Sequence, residues 1–227
     1  MSDASFIESP FPPEITFQCL SSDTSSQITL LPEEEAVLST QATAKRREQF
    51  TLGRVAARLA LKELGFNPPP PILKGNNREP LWPKDVVGSI THTDKYAIAV
   101  ATFSKDIVGL GIDLERFGSK QSQRLAERIC LPSELTWLCE DESLMQERFA
   151  LLFSAKETLF KALYPIYGRY FWFNDAELTW DPDQNCFIGT LQFSADTSYQ
   201  KGTKICIYCL TKTNYVFTYT TLAKVKL

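Results

Sequence analysis

The segment GLGIDLE, residues 109–115, ends an almost unbroken apolar run and still carries two carboxylates, Asp113 and Glu115, two positions apart. In an extended chain residues i and i+2 point to the same side, so Asp113 and Glu115 project together while Ile112 and Leu114 enter the opposite layer. Like charges that close repel unless something positive sits with them, and a hard cation would serve.

The chain around this strand has 227 residues, 44% of them hydrophobic, enough for one sizeable core or two smaller ones. No stretch is long and apolar enough to span a bilayer, and the start, MSDASFIESPFPPE, is acidic and proline-broken rather than a basic leader with an apolar core. The expectation is a cytoplasmic protein with no membrane partner. A net charge of −3 also argues against a nucleic-acid partner, so any anion site must be local. The six cysteines are scattered; the C-x-x-C at Cys206 and Cys209 lies in a β-rich run where residues three apart face opposite sides, so the sulfurs diverge. His92 is the only histidine, which excludes a zinc site built on histidines.

Along the chain, ITFQCL (15–20) reads as a first strand. LLPEEEAVLS begins a helix, with Pro32 in its first turn and Glu33, Glu34 and Glu35 facing the positive end of its dipole. Helical periodicity continues, with a break, through KRREQFTLGRVAARLALKELG to a stop at Gly65. The prolines and Gly75 of NPPPPILKGNNREPLWP forbid regular structure there. VGSITH and KYAIAVATF read as strands, SKD as a turn and IVGLGIDLE as the returning strand of a hairpin. SKQSQRLAERICL is helical, as is about 134–163 in two pieces, and AELTW, CFIGTLQF, KICIYCLT and YVFTYTTLA are strands. The pattern is α+β with antiparallel sheets, and a boundary at 108/109 splits it into halves 1–108 and 109–227; no repeat is visible by eye.

A second acidic position lies in RFALLFSAKETLFKALYP. Phe149, Leu152, Phe153, Leu159, Phe160 and Leu163 form a broad apolar surface at helical spacing, while Ser154, Glu157, Thr158 and Lys161 make a narrow polar stripe at i, i+3, i+4 and i+7. Read alone, Glu157 and Lys161 fit an ordinary solvated ion pair. Together with the strand, the D-x-E and K-E-x-x-x-K elements supply three carboxylates and two lysines, the inventory for holding Mg²⁺ against a polyphosphate.

VGLGIDLE followed by FSAKETLFKA resembles the paired signature of the 4′-phosphopantetheinyl transferases of the surfactin and enterobactin-synthase type. The upstream KRREQFTLGRVAARLAL, REPLWP and GSITHT look like the enterobactin-synthase branch. The resemblance implies two similar α/β halves about a pseudo-twofold axis, the first carrying the coenzyme A 3′-phosphate and adenine side, the second the metal and catalytic helix, with coenzyme A in the cleft. It implies transfer of the phosphopantetheine arm of coenzyme A to a serine of an apo acyl or peptidyl carrier protein, dependent on Mg²⁺ and releasing 3′,5′-ADP, by a monomer.

Residue by residue, the resemblance implies Mg²⁺ on Asp113, Glu115 and Glu157, with Glu157 as general base, directly or through water, and Lys161 stabilising or protonating the departing phosphate. Lys156, about 100° around the helix, is expected at the diphosphate or just behind it. Arg47, Arg54 and Arg58 share a helix face, and Gly53 would let a ligand approach beside Arg54, the strongest candidate for the 3′-phosphate. Arg78 on its stiff loop suits a phosphate or the adenine, with Lys74 a weaker candidate. His92 with Thr91 stands where the family's S-x-S-H motif meets a coenzyme A phosphate; without the resemblance His92 reads as a structural residue. Lys120, Arg124 and Arg128 fall on one helix face that would dock an acidic carrier, with the apolar YFWF at 170–173 as the other candidate surface. Two other readings stand: a Mg²⁺-dependent phosphohydrolase acting on a nucleotide diphosphate, and a catalytically silent carrier-binding module, which the intact Asp113, Glu157 and Lys161 disfavour.

Overall fold

Strand β1 (Thr16–Ser21) opens the first of two compact units, Met1–Ile107 and Val108–Leu227, of a computed structural model that describes residues 6–23, 28–118, 123–169, 171–194 and 197–224. A short helix α1 (Pro32–Ala36) and the long helix α2 (Ala44–Glu63) follow, the break between them falling where Thr43 caps α2 by accepting a hydrogen bond from the Arg46 amide. Strands β4 (Val86–His92) and β5 (Tyr96–Phe103) then form an antiparallel sheet in the order β1-β5-β4. Helix α2 lies on it through small residues: Ala56, Ala57 and Ala60 pack with Leu61, Ile72, Ala99 and Ala101. Ahead of β4 the proline-rich segment is not wholly irregular, because β2 (Leu73–Lys74) and β3 (Pro80–Leu81) pair across a turn that Arg78 takes with φ 71°. Proline prevents long ladders but tolerates so short an edge pair.

Strand β6 (Ile107–Arg116) does not return along β5 as a hairpin. Both edges of β5 are already hydrogen-bonded, to β1 and β4, and β6 instead borders β10 (Tyr215–Ala223) in a five-stranded sheet ordered β6-β10-β9-β8-β7, completed by β7 (Ala176–Asp181), β8 (Cys186–Leu191) and β9 (Lys204–Lys212). Between β6 and β7 come α3 (Gln123–Ile129), α4 (Pro132–Cys139) and α5 (Met145–Tyr167), which ends at Gly168 in the left-handed conformation. Helix α5 buries Leu152, Ala155, Leu159, Ala162 and Leu163 against Phe187, Leu191, Ile205 and Ile207 of the sheet. The described cysteines are all free, with Cys209 buried and Cys206 half-buried.

The glycines of GLGIDLE set the helix-to-strand distance. A Cβ on Gly109 would come within 2.2 Å of the Ala162 carbonyl oxygen, and one on Gly111 within 2.0 Å of that of Thr158. Both obstacles are backbone, so neither can swing aside. Gly111→Ala should therefore force α5 off the strand and cost about 1–3 kcal/mol or more, read as a lower midpoint in urea unfolding; an unchanged midpoint would mean that the helix can shift freely.

Each unit also contains the same buried device. Leu31-Pro32-Glu33-Glu34 and Leu131-Pro132-Ser133-Glu134 both start a helix with proline and bury the fourth residue completely or almost so. Glu34 accepts from the Leu31 and Ile72 amides and pairs with Arg58 of α2; Glu134 accepts from the Leu131 and Leu178 amides and pairs with Lys156 of α5. A short repeat is thus present as L-P-x-E with a basic partner on the following long helix.

Candidate active site

Alternation along β6 turns Gly109, Gly111, Asp113 and Glu115 to one side. The glycines admit α5 closely, and Asp113, 5% exposed, meets two of its side chains. Lys161 Nζ donates to Asp113 Oδ1 at 2.6 Å and to the Ile112 carbonyl at 3.2 Å; Ser154 Oγ donates to Asp113 Oδ2 at 2.9 Å. Ile112 and Leu114 on the other face are fully buried. The positive group brought to the acidic face of the strand is therefore the Lys161 ammonium.

One ammonium does not compensate three carboxylates. Glu115 is pushed up from 4.5 to about 7, first by burial and then by Asp113, with Lys161 opposing and Glu157 adding. Glu157 is likewise raised, chiefly by burial, with Lys161 opposing and Asp113 adding. This is an oxygen-rich, under-compensated cluster, and its hard donors suit Mg²⁺. It is coupled but not converged: among the described residues no three His, Cys, Asp or Glu side chains stand ready to hold a metal ion. With Lys161 on Oδ1, the carboxylates have to regroup to take a cation.

The sign of the Glu115 effect is testable in metal-free buffer. A carboxyl whose folded-state pKa is raised contributes stability that is fully present below 4.5 and lost as pH rises through about 7. Glu115→Gln should raise Tm at pH 8, by on the order of 1–3 kcal/mol in stability, and leave it unaltered near pH 4. Equal melting at pH 8 would show the charge to be compensated.

Lys156 does not reach toward this cluster. Its side chain is 1% exposed, and Nζ donates to Glu134 Oε1 at 2.8 Å, to the Phe173 carbonyl at 2.8 Å and to the Ala176 carbonyl at 3.1 Å. The expected diphosphate contact is corrected to an internal clamp, because the 100° turn from Glu157 carries Lys156 into the packed side of α5.

In the first unit, α1 covers the arginine face of α2. Arg47, half-exposed, pairs with Glu35, and Arg58 pairs with the buried Glu34 and donates to the Thr29 carbonyl. Arg54 differs. It is 7% exposed, its guanidinium lies 4.4 Å from the centre of the Phe50 ring, and its Nε has no hydrogen-bond partner among the described residues. Burial, eased by Glu34 and reinforced by Arg46, lowers its pKa to about 10. A buried guanidinium with an unused donor is a seat for an anion. Arg46, which the sequence reading passed over, approaches His92: its Nη1 is 3.1 Å from Nε2. Arginine cannot accept, so Nε2 does, and the proton of neutral His92 sits on Nδ1. Thr91, 4% exposed, projects to the opposite face of β4, so it and His92 do not form one contact set. Arg78 and Lys74 are exposed on the β2–β3 hairpin. Of the basic docking face only Arg128, exposed on α3, can be described; Lys120 and the Arg124 side chain lie outside the described residues, as does Tyr170 of the YFWF stretch, whose Trp172 is 69% exposed.

One α+β unit thus carries an acidic strand face against a K-E-x-x-x-K helix, and the other a buried arginine whose Nε has no partner among the described residues. Residues 33–102 match the 4′-phosphopantetheinyl transferase N-terminal domain family, and residues 109–220 the 4′-phosphopantetheinyl transferase superfamily. The 4′-phosphopantetheinyl transferase Svp of Streptomyces mobaraensis is 42% identical over 166 residues, 72% of this chain and 67% of that protein. PptT of Mycobacterium tuberculosis, another 4′-phosphopantetheinyl transferase, is 38% identical over 162 residues, 71% and 70% of the two chains. Enterobactin synthase component D of Escherichia coli K12 is 38% identical over 122 residues, 53% and 56%. The chain belongs to the 4′-phosphopantetheinyl transferase superfamily and is an enzyme of that class with its α+β fold. Among the described residues no helix is long and apolar enough to cross a membrane.

Proposed function

We propose that this enzyme transfers the 4′-phosphopantetheine arm of coenzyme A to a serine hydroxyl of an apo acyl or peptidyl carrier protein and releases 3′,5′-ADP, with Mg²⁺ held by Asp113, Glu115 and Glu157. The observation that carries the reading is the coupling of these three carboxylates with Lys161 on the facing surfaces of β6 and α5. Bound there, Mg²⁺ would neutralise the diphosphate and the charge that develops on the departing oxygen. Glu157, raised above the ordinary carboxyl range by burial, is the base that takes the serine proton. Lys161, kept protonated by Asp113 and Glu157 against its burial, is the donor to the departing phosphate. In the first unit Arg54, with Arg46 and His92 nearby, is assigned to the phosphates of coenzyme A, the 3′-phosphate falling to Arg54.

Incubation with coenzyme A and an apo carrier, followed by weighing the carrier, tests the reading directly. A mass gain equal to the phosphopantetheine arm is expected; an unmodified carrier with cleaved coenzyme A would make the protein a phosphohydrolase instead. Arg54→Ala should raise KM for coenzyme A by about tenfold or more and KM for 3′-dephospho coenzyme A far less, because only the first loses a charge-assisted bond. Equal effects on both would move Arg54 away from the 3′-phosphate.

A further inference from the structure

Behind Asp113 runs a chain of buried hydroxyls, two of them within FSAKETLFKA and the third, Thr218, outside the signature motifs. Ser154 Oγ lies 2.9 Å from Asp113 Oδ2 and 2.8 Å from Thr218 Oγ1, and Thr218 Oγ1 lies 2.6 Å from Thr158 Oγ1. Ser154, Thr158 and Thr218 are each 0% exposed. Thr218 stands on β10, the strand beside β6, and Ser154 and Thr158 stand one turn apart on α5.

Counting protons orders the three contacts that lead to Asp113. A carboxylate only accepts, so the single Ser154 proton goes to Asp113. Ser154 can then only accept from Thr218, which commits the Thr218 proton. In the 2.6 Å contact Thr158 must therefore be the donor, and it shares its one proton between Thr218 Oγ1 and the Thr218 carbonyl, the latter at 3.2 Å. The result is one ordered relay, Thr158 to Thr218 to Ser154 to Asp113, in which each O–H donates to the next oxygen and the last donates to the carboxylate. Each bond polarises the next.

We infer that Thr218 is a positioning residue for phosphopantetheine transfer: it directs the Ser154 hydroxyl onto Asp113 Oδ2 and so anchors that oxygen while the carboxylates regroup around a cation. The inference rests on the assignment of Asp113 above. The hydrogen bonds of the Thr218 side chain among the described residues go to Ser154 and Thr158. Its replacement by valine keeps the shape, removes the donor to Ser154 and leaves Thr158 with only a long bond to a carbonyl.

The test compares Thr218→Val, Thr218→Ser and Asp113→Ala by kcat at saturating Mg²⁺, by direct titration of Mn²⁺ binding to the protein without coenzyme A, and by Tm. Thr218→Val should lower kcat and weaken Mn²⁺ binding by roughly fivefold each, the scale of one hydrogen bond, and Thr218→Ser should restore both. A valine variant within twofold of wild type in both measurements overturns the inference, as does a serine variant as impaired as the valine one. If Thr218→Val does not fold, Thr158→Val should show a smaller loss in the same direction, about twofold; no loss there overturns the relay. Full activity in Asp113→Ala would instead overturn the assignment of Asp113, and this arm separates the two failures.

Discussion

Glu157→Gln should lower kcat by about 10²- to 10⁴-fold, the range for removing a general base, while the protein remains folded. Glutamine keeps the shape and removes only the ability to take a proton and the negative charge. The charge is an unfavourable one for the fold: burial raises the Glu157 carboxyl and Asp113 adds to the effect, with Lys161 opposing. Deleting it should leave Tm unchanged or raise it at neutral pH, since a carboxyl with a raised pKa costs stability once it ionises. The combination of lost rate and retained or increased Tm distinguishes chemistry from collapse. A variant keeping more than about a tenth of the wild-type rate would exclude Glu157 as the base.

Much of this molecule was legible because its periodicities are clean. The strands TFQCLS, VGSITH and YAIAVATF and the helix of KRREQFTLGRVAARLALKE fall where alternation and the helical repeat put them. The D-x-E strand faces the K-E-x-x-x-K helix, and the alternation that placed Asp113 and Glu115 together is the same rule that turns Gly109 and Gly111 to α5. What was not legible depends on partners distant in the chain. Nothing local to IVGLGIDLE says that β5 is already flanked by β1 and β4, so the nearest neighbour in sequence looked like the partner in space. The face shared by Arg47, Arg54 and Arg58 follows from helical spacing, but its electrostatics depend on the Glu34 and Glu35 of α1, which leave Arg54 as the buried arginine with an unused donor. Thr218 is one threonine in the β-rich run YVFTYTTLA, and only the side chains of α5 give it a role. Lys156 was misplaced for the same reason: a lysine beside the glutamate proposed as the base invites a substrate contact, and the carboxylate that claims it begins a different helix. The recurring L-P-x-E was the available signal.

That clamp carries the largest stability effect expected in the second unit. Glu134 and Lys156 are 0% and 1% exposed, and their ion pair joins the start of α4 to the middle of α5. Through the Phe173 and Ala176 carbonyls the same ammonium holds the segment that leads into β7. Lys156→Met removes the counter-charge and leaves Glu134 in the interior with two amide donors, from Leu131 and Leu178. Breaking a buried pair in this way costs about 3–5 kcal/mol, a large share of the 5–15 kcal/mol that typically holds a protein folded. Urea unfolding should show the loss as a lower midpoint. Glu134→Gln combined with Lys156→Met should recover part of it, because the double variant buries no uncompensated charge, although the single glutamine oxygen can accept from only one of the two backbone amides. At temperatures where the single variant remains folded, transfer should fall by less than about tenfold, since Lys156 supports the helix without facing the reacting groups. A Lys156→Met protein with a wild-type midpoint and a thousandfold slower transfer would reverse the assignment and return Lys156 to the diphosphate.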